Sequence, residues 1–219
     1  MTRVRRTSQF ILGLWAMVLL GSSAAAWALE FSDIAKEGEL IYLAKHPEPN
    51  SYHYESRVHL TESSLRDGVV SLSTCHFQLD PIRKVVIAFN PDRLKSLTVD
   101  SHSGIESIQA DQHRVTLTNV KKGAQICIGI QSKALDITSD QGVYRLQAGP
   151  LMRRYLDGYL PMSAKLQVSW PENLLQVKTT EPAEQPGVVI QSNSKGVEMQ
   201  ITFAGRFKGH FTLEERRAH

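Results

Sequence analysis

The stretch "KHPEPNSYHYES", residues 45–56, crowds His46, Glu48, His53 and Glu55 together, and His59 follows closely. Imidazole nitrogens and carboxylate oxygens are what zinc or copper takes as ligands, so His46, Glu48, His53 and His59 form a candidate metal set. Two features weigh against it. Pro47 and Pro49 make the first half an extended loop, and no repeat spacing places the four donors on one face. Surface or aromatic-flanked structural histidines are the simpler reading, and no cofactor is expected. A Cys–His nucleophile is also disfavoured, because Cys75 and His76 are neighbours and consecutive strand residues point to opposite faces. The chain has no G-x-S-x-G, no H-E-x-x-H, no phosphate loop and no dinucleotide fingerprint.

A second cluster has another chemistry. "LQAGPLMRRYLDGYLPM", residues 146–162, sets two arginines and two tyrosines among large aliphatics. Arg153, Arg154, Tyr155 and Tyr159 are candidate partner-binding residues, since Tyr and Arg are enriched where proteins grip one another. Gly149-Pro150 suits a helix start and Gly158 a stop, which predicts a two-turn helix through "LMRRYLDG". On that reading Leu151, Tyr155, Leu156 and Leu160 press the segment onto the end of a sheet. Arg153, Arg154 and Tyr159 face outward, with Asp157 as a local acid.

The elements that must position these residues read as strands. In "GAQICIGIQS", Ala124, Ile126, Ile128 and Ile130 share one face and Cys127 lies on the other. The same period of two recurs in "RVTLTNV", "AKLQVSW" and "VEMQITF". "VVIAF", residues 85–89, is a continuous apolar run of the kind that suits a strand covered on both faces. "VEMQITF" and "RFKGHFTL", joined at Ala204-Gly205, read as a carboxy-terminal hairpin. Turn signals such as Asp67-Gly68, Lys122-Gly123 and Pro186-Gly187 fall between the runs. The fold class is therefore all-β: an Ig-like or jelly-roll-like β-sandwich of many short antiparallel strands. One or two short helical turns are expected, at "SDIAKEG" and within the arginine segment.

Cys75 and Cys127 are the only cysteines. An even pair in an exported chain reads as a disulfide, here joining neighbouring strands or a strand to a covering loop. Export is read from the amino terminus. Arg3, Arg5 and Arg6 precede an apolar core over Phe10–Leu20, and small residues lead to Ala26-Trp27-Ala28, so residues 1–28 form a signal peptide cleaved after Ala28. The core is too short for a membrane span, and none is expected after cleavage.

Residues 29–213 then form the β-sandwich domain, with two possible sub-blocks, 50–148 and 163–213, and 214–219 a flexible tail. The whole chain has 25 basic and 22 acidic residues, but three of the arginines lie in the first 28, so the remainder is balanced at 22 of each. That balance argues against nucleic acid or an anionic membrane as partner. The leading functional reading is a periplasmic or secreted, non-catalytic module that binds a protein or cell-envelope partner. The alternatives are a metal- or small-ligand-binding module using residues 46–59, and an enzyme whose site is built from loops.

Overall fold

The computed structural model describes residues 34–48, 50–156 and 158–216 of the chain. Residues 1–33, which include the expected signal peptide, together with Pro49, Asp157 and the last three residues, lie outside that set. In chain order the first elements are β1 (Leu40–Tyr42), β2 (His53–His59), α1 (Glu62–Asp67), β3 (Val70–Leu79), β4 (Ile82–Ala88), β5 (Leu94–Ala110) and β6 (Arg114–Ser132). The middle of the chain gives β7 (Leu135–Ile137), β8 (Val143–Leu151), β9 (Arg153–Tyr155) and β10 (Gly158–Leu160). The last are β11 (Met162–Ser169), β12 (Leu175–Glu181), β13 (Val188–Asn193), β14 (Gly196–Gly205) and β15 (Phe207–Glu215).

The expected all-β class is the observed one. Nine strands form a large sheet in the order β1-β14-β11-β2-β3-β6-β4, with β13 also on β14 and β5 also on β6. Four more form a second sheet, β12-β15-β8-β7, and β9 and β10 make a separate hairpin. Pairing is antiparallel except between β2 and β11, which run parallel. The large sheet draws strands from both halves of the chain, whereas the four strands of the small sheet all lie between residues 135 and 215. β5 and β6 are 17 and 19 residues long, so the strands are not all short. The inner faces of the two sheets meet in one apolar core. Ile126, Ile128, Leu166, Met199 and Phe203 come from the large sheet, and Leu146, Phe207, Phe211 and Leu213 from the small one.

The alternation in β6 holds as read: Ala124, Ile126, Ile128 and Ile130 are buried, and Cys127 faces away from them. Cys75 and Cys127 stand directly opposite in the β3–β6 register, Cα atoms 4.1 Å apart, and are joined as a disulfide. The bridge therefore links neighbouring strands.

Four local expectations are corrected. The "VVIAF" strand, β4, pairs among the described residues only with β6 and is not covered on both faces; Val85 and Ile87 turn inward while Val86 is exposed. "VEMQITF" and "RFKGHFTL" do not form a hairpin: β14 belongs to the large sheet and β15 to the small one. The chain changes sheet at Gly205, whose φ of 112° and close approach to the Glu39 backbone leave no room for a side chain. The single helix among the described residues is α1; the described part of the "SDIAKEG" stretch, residues 34–38, holds an isolated bridge at Ala35 and no helix. Thr61 caps its start by accepting a hydrogen bond from the Ser64 backbone N–H, and Gly68, left-handed at φ 74°, ends it. Glu214 and Glu215, assigned to a flexible tail, are part of β15 and pair with β12 and β8.

Candidate contact site

The arginine segment is a β-hairpin, not a helix. β8 runs on through Pro150 to Leu151, with a cis bond at Gly149-Pro150, and β9 and β10 then pair antiparallel, Tyr155 with Gly158 and Tyr159 with Arg154. The glycine and proline that suit helix ends serve as a bend and a tight turn. Leu156 stands in that turn with φ 50°, a left-handed conformation that costs a side-chain-bearing residue something on the order of 1 kcal/mol. No Asn-Gly pair marks the turn.

Burial reverses the expected division of labour. Tyr155 is 51% exposed and Leu156 79%, so neither holds the segment down. Tyr159, expected outside, is only 4% exposed and sits in a small secondary core with Ala35 and Ala204, against which Ile41 and Met152 pack. Backbone bonds between Ala35 and Tyr159, at 3.2 and 3.0 Å, tie the hairpin to the amino-terminal segment. Gly158 permits this approach, because a Cβ there would lie 2.8 Å from Ile34 Cγ2.

Arg153 is the second anchor, its side chain largely covered at 10% exposed. Its Nε and Nη2 donate to the two Asp80 carboxylate oxygens at 3.0 and 2.8 Å, and its Nη1 donates to the Pro161 carbonyl at 2.9 Å and to Glu48 at 3.4 Å. The planar guanidinium fits such a forked geometry, which an ammonium cannot reproduce. Its carbon Cζ lies 5.9 Å from the centre of the Tyr52 ring, within cation–π range. Arg154, by contrast, is exposed, and its ion pair among the described residues is a long one of 3.9 Å with Glu37.

Tyr52 connects this anchor to the large sheet. Its hydroxyl and His76 Nδ1 share a 2.8 Å hydrogen bond, and Tyr54 meets the His76 ring edge-on. His76 is buried, and its Nε2 has no partner among the described residues. Burial holds its pKa down at about 4, so the ring is neutral at physiological pH. Burial likewise pushes the Tyr52 hydroxyl up from its ordinary value and Tyr54 up to about 12.

The histidine-rich stretch and the arginine segment thus meet through Glu48, and the four candidate donors are not gathered at one point. Glu48 pairs with Arg153. His46 bonds Ser51 Oγ and accepts from the Glu48 backbone N–H, and burial lowers its pKa. His53 stacks on Phe77, and His59, at the other end of β2, bonds Ser169. At about 3.3 Å of rise per strand residue, His53 and His59 are roughly 20 Å apart, beyond any shared ion. Among the described residues no group of three or more His, Cys, Asp or Glu side chains is gathered to hold a metal.

The missed anchors are Asp80, Tyr52 and His76. Nothing marked Asp80 in sequence, because it lies 73 residues from Arg153 and meets it only through the fold.

No protein-family model matches the chain, and no curated protein matches it. Among solved structures, an M1 zinc metallopeptidase from Deinococcus radiodurans is similar at 9% identity and a TM-score of 0.39, over 82% of this chain and 43% of that one. Aminopeptidase A of Legionella pneumophila is similar at 11% identity and a TM-score of 0.36, over 80% of this chain and 23% of the other. The chain spans less than half the length of either, and likeness at this level carries no conclusion about activity.

Proposed function

We propose that this protein is a partner-binding module of the periplasm or of the secreted fraction that contacts another protein through the tip of the β9–β10 hairpin. The observation that carries the reading is the exposure of Tyr155 and Leu156 side by side on a hairpin fixed at its base by Arg153 and Tyr159. A large aliphatic side chain in a left-handed turn, open to water, stabilises nothing in the chain itself. A protein partner that covers it gains apolar burial at little cost in ordering, because the hairpin base is already held. Arg154 beside it supplies a charge for the rim. The Cys75–Cys127 bridge supports a location where disulfides persist. Among the described residues no helix is long and apolar enough to cross a membrane.

The test is a binding measurement. A partner recovered by cross-linking in the native compartment is purified and titrated against the parent protein and against a Tyr155→Ser, Leu156→Ser double variant. Truncating hot-spot residues costs about 2 kcal/mol or more, so binding should weaken by at least roughly 30-fold. Unchanged affinity rejects the hairpin tip as the contact.

A further inference from the structure

The large sheet ends on one side in β13, and that edge differs from the others. β4 carries Arg83 and Lys84, and the long β5 is broken by register shifts at three places. β12 carries Lys178 and a bulge, while β1 and β7 have three residues each. Charges, bulges and shortness are the ordinary means by which a sheet edge is kept from pairing with another chain. β13, "VVIQSN", has no charge and no proline, and its register with β14 is unbroken from Val188 to Asn193.

Its free hydrogen-bonding groups can be assigned. The Gly187 carbonyl accepts from the Thr202 N–H at 2.9 Å, so the odd-numbered residues turn their peptide groups toward β14 and the even-numbered ones turn theirs away. Val188 N–H and C=O are already used by Gln185, at 2.8 and 3.2 Å. Ile190 and Ser192 remain, each with one N–H and one C=O directed outward and unpaired among the described residues.

We propose that this edge is a self-association surface, and that two copies of the chain join antiparallel through β13 to continue the sheet across a two-fold axis. The edge is self-complementary about Gln191. Ile190 of each copy falls opposite Ser192 of the other, so both free N–H and both free C=O groups on each side find partners. Gln191 meets its own counterpart, and Val189, 47% exposed, is partly covered by the facing Asn193. No unbalanced charge faces the axis. Glu198, which lies beside Gln191 on β14, is engaged by Lys165 at 3.1 Å and Gln167 at 2.7 Å. A second copy presenting the same uncharged edge meets these requirements.

Sedimentation velocity over a concentration series tests this. The parent protein should show a concentration-dependent dimer. Gln191→Lys and Gln191→Glu each place two like charges opposite one another at the axis, and each should weaken the dimer by at least about fivefold. An equimolar mixture of the two variants should dimerise again, because opposite charges then face. Position 191 is exposed, so thermal melts of both variants at low concentration should match the parent, which separates lost association from lost folding. A parent that stays monomeric at every concentration, or a dimer that survives Gln191→Lys undiminished, overturns the proposal.

Discussion

His76 is a neutral imidazole held in an apolar interior, faced by Tyr52 and Tyr54, with Arg153 beyond the Tyr52 ring. Its folded pKa of about 4 lies below the ordinary 6.5, so the unfolded chain binds the proton more readily than the folded one. Stability from this group is complete above pH 6.5, declines as pH falls, and reaches its full loss of about 3 kcal/mol below pH 4. His46, also lowered by burial, adds to the decline with the same sign. Denaturant melts at intervals between pH 7 and pH 4 should show the slope, and a His76→Leu variant should lose most of it. An equal slope in the variant would place the acid sensitivity elsewhere. Arg153 is argued at the same scale. Arg153→Ala leaves the Pro161 carbonyl and two carboxylates without their donor, and should cost about 1–3 kcal/mol, the lower part of that range reflecting the half-exposed Asp80. Arg153→Lys should restore little of it, because the ammonium cannot occupy both Asp80 oxygens and Pro161 together. Full rescue by lysine would mean that charge alone matters.

The β9–β10 hairpin divides into a buried base and an exposed tip, and variants should follow that division. Tyr159→Ala removes the ring from the small core with Ala35 and Ala204 and should cost about 3 kcal/mol, whereas Tyr155→Ala and Leu156→Ala should each shift stability by no more than about 0.5 kcal/mol. Thermal melts of the three distinguish this arrangement from the capping helix that the sequence suggests. Gly149-Pro150 and Gly158 suit that helix and the observed hairpin equally, since the same residues that begin and end helices also make bends and tight turns. Pairing with Asp80 and burial against Ala204 decided between the two, and neither is local in sequence. β6 was legible for the opposite reason: its alternation is set by one buried face over many residues, and the position of Cys127 follows from it. β4 falls between these cases. An apolar run reports the side chains available, but coverage depends on what packs against each face of the strand, and the face of β4 that carries Val86 is open to water.

At the scale of the molecule, two sheets share one core, and the chain passes between them at Gly205, so neither sheet can separate without exposing the interior of the other. The Cys75–Cys127 bridge closes 52 residues of chain around β4 and β5. By loop-closure entropy it should contribute up to about 4 kcal/mol, and a Cys75→Ser, Cys127→Ser protein should show that loss as a lowered denaturation midpoint. An unchanged midpoint would mean that the β3–β6 ladder alone supplies the constraint. The sheets and the bridge give the hairpin a fixed base, and on this account what that base presents to a partner is Leu156. A photoactivatable residue at position 156, with one at the exposed Ile137 of β7 as control, measures the claim in the native compartment. A discrete protein adduct is expected from position 156 and none from 137. Irradiation that yields no adduct at 156, or the same adducts from both positions, would contradict it.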